Sequence, residues 1–497
     1  MKIVIVGGGT AGWITAAMWI KETIGHDITV VESSKIGIIG AGEGSTGSMP
    51  WFIRDKWPDN IVNEIDFLKK TKATLKMAIR MKNWKGDGTS YYSPFHGSPT
   101  DGHPIDTAML GSILKYGRSD YASLHSWMLD DGLTTFRKVN GRIVQGLENH
   151  SYHFDGVEVG KYFKDICVKR GVKVIDSVVD DLTFDDTEFL KSAKLANGET
   201  IEADMWFDCS GFAKVLMAKT KNKWISYKNH LPCNSAITFS DDISSKTVRF
   251  ETLSETMNAG WMWKIPLQQR HGCGYVYCDE YQTYEESLAE IEAKVGKKIT
   301  PLNHIKFEAG KYDKIWYKNI ACIGLSGHFL EPLQATSIHI SIMTASVIVY
   351  HCLKNKESLR SEYNRDSLNR LCDNMIEDSK DFIQMHYFAG RQDTPFWKFM
   401  NNGVEIAEKN KKYIDISQTR SLGLFDFAQT HGSPGYPLWC HIIDAAGLYK
   451  KDIVESELTS LNRMNEAQDE LKRMMKQYDK IKKELVPTEE MFKYLKA

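Results

Sequence analysis

The chain has 497 residues, 42% of them hydrophobic and 11% aromatic, which supplies core material for two or three lobes and excludes a disordered polypeptide. Its 63 basic and 64 acidic residues leave a formal charge of -1, so no global field draws it to nucleic acid or to an anionic membrane. Nine cysteines without a C-x-x-C pair make neither a disulfide framework nor a zinc site, and no stretch has the length and purity of a membrane span; a soluble protein of a reducing cytoplasm, with no metal, is expected.

Residues 2–6 form a short apolar run, residues 10–24 carry apolar side chains at helical spacing, and Ile28-Thr29-Val30-Val31 is β-branched and ends at Glu32. This predicts a βαβ unit. Its turn, Gly7-Gly8-Gly9-Thr10-Ala11-Gly12, fits G-x-G-x-x-G: Gly7 for the tight turn, Gly9 for approach of a pyrophosphate and Gly12 for close helix packing. Glu32 stands where a carboxylate accepts hydrogen bonds from ribose hydroxyls, so a dinucleotide site is expected. The next loop, Gly40-Ala41-Gly42-Glu43-Gly44-Ser45-Thr46, is rich in glycine and reads as a mobile connection.

The chain alternates again over residues 150–215, where Val172-Lys173-Val174-Ile175 and the run from Ala203 to Gly211 read as strands around an Asn197-Gly198 hairpin. From Ser235 to Tyr277 the texture is β-rich with aromatic clusters, which predicts an antiparallel sheet facing the substrate. Ile320 to Gly327 reads as a buried strand ending in glycines, followed after Glu331-Pro332 by a helix from Thr336. Near the C-terminus, Leu461, Met464, Leu471, Met474, Tyr478, Ile481 and Leu485 describe one amphipathic helix stopped by Pro487. It docks on its own domain, or forms a dimer seam in a homo-oligomer. The expected domains are residues 1–335, a nucleotide-binding module with a β-rich insert over about 225–310, and residues 336–497, a mainly helical region completing the substrate site.

A nucleotide unit at the start, Asp208-Cys209-Ser210-Gly211 and a late Gly324-Leu325-Ser326-Gly327 together resemble the glutathione-reductase-type FAD-binding fold, an α/β class. Trp261-Met262-Trp263-Lys264-Ile265-Pro266 is a W-x-W-x-I-P sequence and resembles the hallmark of flavin-dependent halogenases of the tryptophan halogenase family. The match continues through Trp13, Phe212, His328-Phe329-Leu330-Glu331-Pro332-Leu333, Asp381-Phe382-Ile383-Gln384 and Asp393-Thr394-Pro395-Phe396-Trp397, covering most of the chain.

The resemblance implies FAD, used as FADH2, with O2 and a halide ion; the flavin oxidises halide to hypohalous acid, which halogenates an electron-rich aromatic substrate. FAD contacts are implied at Gly7, Gly9, Thr10, Ala11, Gly12, Glu32, Gly42, Glu43, Gly211, Gly324, Gly327 and Leu333, the strap of Gly42 and Glu43 doubling as a gate. Trp261 and Trp263 would keep organic substrate from the flavin. Leu75-Lys76-Met77-Ala78-Ile79-Arg80-Met81-Lys82-Asn83-Trp84 matches the stretch holding the family's catalytic lysine, which makes Lys76 the candidate. A buried ammonium can donate a strong hydrogen bond to hypohalous acid or, after losing a proton, form a haloamine; both remain open.

The chain departs from the family at Pro332-Leu333-Gln334-Ala335-Thr336-Ser337, where a glutamate is usual in place of Gln334. An amide orients a partner but is no base at neutral pH, which points away from free tryptophan toward a more electron-rich ring. Thr336 and Ser337 occupy the family's halide-binding positions, and Ser337 in place of glycine leaves chloride, bromide and iodide open. A single nucleotide fingerprint implies a separate flavin reductase as partner. The alternatives are an FAD-dependent aromatic monooxygenase and a flavin-binding sensor.

Overall fold

A computed structural model describes residues 1–37, 40–95, 106–146, 149–352, 356–427 and 433–497. Its first layer is a six-stranded sheet in the order Lys173–Asp176, Asp27–Glu32, Lys2–Val6, Met205–Asp208, Ile320–Cys322, Trp316–Tyr317, parallel except for the last pair. Ile3 and Ile5 face one apolar cluster, which reaches through most of the molecule, while Val4 and Val6 face a smaller one with Trp206 and Leu190 on the other side. Both faces of the strand are covered, which is why it reads as an unbroken apolar run. The helix Thr10–Glu22 crosses between the first two strands and buries Trp13, Ile14, Ala16, Ala17, Met18 and Trp19. The Asn197-Gly198 hairpin is formed between Leu190–Leu195 and Thr200–Glu202.

The expected substrate-facing sheet is larger than residues 235–277. Seven strands follow the order Asn303–Lys306, Ser235–Asp241, His271–Tyr277, Gly260–Pro266, Glu251–Met257, Ala78–Lys82, Ser90–Pro94. All pairs are antiparallel but one, Glu251–Met257 with Ala78–Lys82, which brings in a distant part of the chain. A third, small sheet places Ser151–Phe154 between Glu43–Gly44 and Thr74–Lys76. The two sheets meet at Met77, whose amide donates to the Phe250 carbonyl at 2.9 Å.

From Thr336 onward the described chain is mainly helical, with a 24-residue helix Glu362–Met385 at its centre. The last amphipathic segment differs from expectation. Its helix is Met464–Ile481; Leu461 ends the preceding helix, and Leu485 belongs to a strand, Leu485–Pro487, paired with Leu133–Val139. Apolar spacing alone cannot separate a helix from a helix followed by a short buried strand. Ala467, Leu471, Met474 and Tyr478 are buried, and the Tyr478 hydroxyl donates to the Trp127 carbonyl at 3.2 Å, so this face docks on its own chain. No helix among the described residues is long and apolar enough to cross a membrane. Cys167, Cys209, Cys233, Cys273, Cys278, Cys322, Cys372 and Cys440 are buried and form no disulfide.

Candidate active site

The glycines of the first turn are dictated by space. Gly7 has φ +117°, and a Cβ there would lie 2.3 Å from the Cys209 carbonyl oxygen; one at Gly12 would lie 1.9 Å from the Gly7 carbonyl oxygen. Gly9 faces open space and precedes Thr10–Glu22 without a side-chain cap, leaving its first amides available to an anion. Gly8 matters too, because a Cβ there would meet the Glu32 carboxylate. That carboxylate accepts from the Trp13 indole at 3.1 Å and pairs with Lys164. The Thr10 hydroxyl donates to the Gly156 carbonyl, and Ala11 lies against Gly324, where a Cβ would come within 3.0 Å of its own. The Gly327 amide donates to the Gly324 carbonyl, and Gly211, at φ +66°, faces open space. Asp208 is spent on structure, its carboxylate accepting from the amides of Ser210, Leu216 and Met217. An open, uncapped helix start flanked by close-packed glycines fits the diphosphate of a dinucleotide.

The strap packs directly on the candidate lysine. Glu43 and Gly44 pair with Phe154 and His153, Lys76 pairs with Ser151, and the lysine side chain crosses toward the strap, so that a Cβ on Gly44 would lie 2.9 Å from Lys76 Nζ. Gly42, at φ +81°, approaches Gly272, while Glu43 lies over Thr10 and Gly156, its carboxyl raised to about 7 by burial and by Asp155. The Thr46 hydroxyl meets His339 Nδ1 at 3.0 Å, tying the strap to the helix Thr336–Val347. Lys76 is only 1% exposed, and its Nζ lies 4.9 Å from the centre of the Phe95 ring. Among the described residues no carboxylate pairs with it, and burial lowers its ammonium to about 7. It therefore holds and releases a proton near neutrality.

Gln334 ends the short turn Pro332–Gln334, in which Leu333 is buried, and Ala335 then adopts a left-handed conformation at φ 56°. Its Nε2 lies 2.8 Å from His386 Nε2 and 3.4 Å from the Ser93 hydroxyl. Ser93 and Phe95 flank Pro94, so Gln334 and Lys76 converge on one segment. Thr336 opens its helix with a buried hydroxyl that lacks a hydrogen-bond partner among the described residues, beside amides without a side-chain cap; Ser337 follows in the first turn. That pattern fits an anion.

Trp261 and Trp263 share one face of the strand Gly260–Pro266, with ring centres 6.0 Å apart. The Trp263 ring covers Gly274, where any Cβ would clash with it. The Trp261 indole donates to the Glu331 carboxylate at 3.0 Å, and the Tyr387 hydroxyl donates to the same oxygen. Glu331 is fully buried, which raises its carboxyl to about 7. Trp84, from the lysine stretch, packs edge-on against His386 and Tyr387, joining both networks. Sequence reasoning quoted Glu331 without a role and missed His386, Tyr387, Ser93 and Phe95. Their partners lie tens of residues away, and only the Asp381 to Gln384 motif lay near His386.

Residues 2–453 match the family profile of tryptophan halogenases. The chain is 31% identical over 480 residues to the 7-chloro-L-tryptophan 6-halogenase KtzR of Kutzneria sp. (strain 744), covering 90% of each protein. It is 30% identical over 448 residues to the tryptophan 7-halogenase RebH of Lentzea aerocolonigenes, covering 84% of this chain and 81% of RebH. Among solved structures, Tar14, a tryptophan C-6 flavin-dependent halogenase (chlorinase) from taromycin biosynthesis, superposes with a TM-score of 0.87 over 100% of both chains at 27% identity. The chain belongs to the tryptophan halogenase family, whose enzymes use FADH2, O2 and halide and generally depend on a separate flavin reductase.

Proposed function

We propose that this member of the tryptophan halogenase family uses Lys76 to hold and activate hypohalous acid beside an aromatic ring more electron-rich than the benzo ring of free tryptophan. When bound, reduced FAD with O2 supplies the oxidising equivalent that turns halide into hypohalous acid. Gly7, Gly9, Thr10, Ala11, Gly12 and Glu32 hold its nucleotide half; Gly42, Glu43, Gly211, Gly324, Gly327 and Leu333 complete the cradle, and a separate reductase delivers the reduced flavin. Thr336 and Ser337 hold the halide at the helix start. Trp261, fixed by Glu331, and Trp263 form the partition that keeps the ring from the flavin. The relatives are named for tryptophan, whereas Gln334 offers this chain no base where the family has a carboxylate, which favours a ring needing less help.

The observation that carries this reading is Lys76 itself. A cation buried with no carboxylate partner among the described residues is costly, and one whose pKa falls to about 7 can polarise hypohalous acid or accept the halogen as a haloamine. Lys76→Ala, supplied with a reductase, FAD, O2 and bromide, is expected to reoxidise flavin near the wild-type rate. Brominated product, read by mass spectrometry with a scavenger of free oxidant present, should fall by about two to four orders of magnitude. Product at the wild-type rate would remove Lys76 from catalysis. Oxygenated instead of halogenated product from wild type would install the monooxygenase in its place.

A further inference from the structure

The hydrogen bonds around the buried Gln334 fix which end of its amide the described side chains hold. His386 Nδ1 lies 2.8 Å from the Phe382 carbonyl oxygen, and a carbonyl only accepts, so that nitrogen carries the ring proton. Burial lowers the His386 pKa to about 4, leaving the ring neutral near pH 7. Its Nε2 is then a bare lone pair, 2.8 Å from the Gln334 amide. Only the NH2 end of the carboxamide can occupy that position, because an oxygen there would set two acceptors against each other. The Ser93 hydroxyl also lies on the nitrogen side, at 3.4 Å. The carboxamide oxygen diverges from its nitrogen by about 120° by sp² geometry, and no hydrogen bond among the described residues engages it. Trp84, edge-on at 5.9 Å, and Phe382, edge-on at 5.1 Å, hold the imidazole in place.

We propose that His386 is a positioning residue that locks the Gln334 carboxamide with its oxygen toward the substrate, and that the enzyme thereby selects aromatic rings bearing an N–H or O–H donor: indoles, pyrroles and phenols rather than their N- or O-alkylated counterparts. The inference rests on the halogenase reading above and narrows its substrate class. As the C–X bond forms and the O–X bond breaks, hydroxide leaves, and the proton from the substituted carbon converts it to water. Between these events the ring is cationic, with its charge shared by the heteroatom, whose hydrogen becomes more acidic. A fixed acceptor at that hydrogen binds the cationic ring more tightly than the neutral one, which is the condition for rate acceleration. The amide thus compensates for the absent carboxylate by stabilising the ring cation, without accepting a proton.

The test pairs indole with 1-methylindole and phenol with anisole. Each is offered to the enzyme with its reductase, FAD, O2 and bromide, and each kcat/KM ratio is divided by the ratio that free hypobromous acid gives in buffer. Wild type should favour the N–H or O–H member by about tenfold or more. His386→Phe, which keeps an aromatic ring but no acceptor, frees the amide to rotate and should bring the corrected ratio toward one. Gln334→Leu, which removes the acceptor outright, should do the same and serves if the first variant does not fold. A corrected wild-type ratio near one, or an unchanged ratio in a folded variant, would overturn the proposal. Bromination of neither member of any pair while hypobromous acid still forms would overturn the substrate class alone, whereas a wild type that forms no hypobromous acid would overturn the halogenase reading beneath it.

Discussion

At the scale of single residues, the Gln334–His386 pair shows how one substitution from a family pattern alters its surroundings. A glutamate at 334 would set a carboxylate against the bare lone pair of His386, and the two coexist only if a proton is shared between them. In Gln334→Glu the imidazole should take up that proton, and its pKa should rise from about 4 into the neutral range. Because this folded-state pKa would exceed the ordinary 6.5, the stabilisation it brings is fully present below pH 6.5 and fades as pH rises through the folded value. The imidazole resonance of His386, assigned by difference from His386→Phe and followed by NMR, should titrate in the glutamate variant and stay neutral above pH 5 in wild type. The variant should also retain halogenation and extend it to less activated rings, since it regains a base; an unchanged titration and substrate range would refute both expectations. Little of this pairing was legible beforehand. Gln334 stood out as a departure from a motif, but its partner lies 52 residues away, and the reason they meet is a turn packed on a helix.

At the scale of elements, what could be read in advance was local. The first βαβ unit was legible because its glycine pattern is contiguous and Gly12 is required by the nearby Gly7 carbonyl, although the atoms that require Gly7 belong to the distant Cys209 and Ser210; the W-x-W strand was legible because its alternation is intrinsic to a pleat. The strands Thr74–Lys76 and Ala78–Lys82 were invisible as strands, since one pairs with Ser151–Phe154 and the other with Glu251–Met257, far along the chain. That non-local pairing is what brings the strap over Lys76. A methyl on Gly44 would reach 2.9 Å from Nζ, and the flexible end of the lysine is what must yield. Gly44→Ala should therefore leave flavin affinity within about twofold and lower halogenated product by about tenfold or more, because a misplacement near 1 Å is costly in a positioned site. Titration of FAD by fluorescence together with product assays separates these effects; equal loss of both would show that the strap acts on the cofactor instead.

For the whole molecule, the buried Lys76, which pairs with no carboxylate among the described residues, is a liability that the rest of the fold must carry. Lys76 stands between Leu75 and Met77, both members of a continuous apolar cluster, and its pKa falls from 10.5 to about 7 because burial there resists charge. The unfolded chain holds the proton more tightly than the folded one, so folding is penalised at every pH below 7, and the penalty is relieved as pH rises from about 7 toward 10.5. Its size at neutral pH is on the order of 3–5 kcal/mol. Lys76→Met keeps the stem length, fills the same space and removes the titrating group. The flavin-free variant should therefore be more stable than wild type by a few kcal/mol at pH 7, with the difference shrinking steadily toward pH 10, while losing halogenation. Denaturant unfolding of both proteins across that range measures it, and taking the difference cancels every other group that titrates there. A methionine variant that is no more stable, or whose advantage does not change with pH, would mean that the ammonium is solvated in the folded state, and the argument for a neutral-range lysine would fall with it.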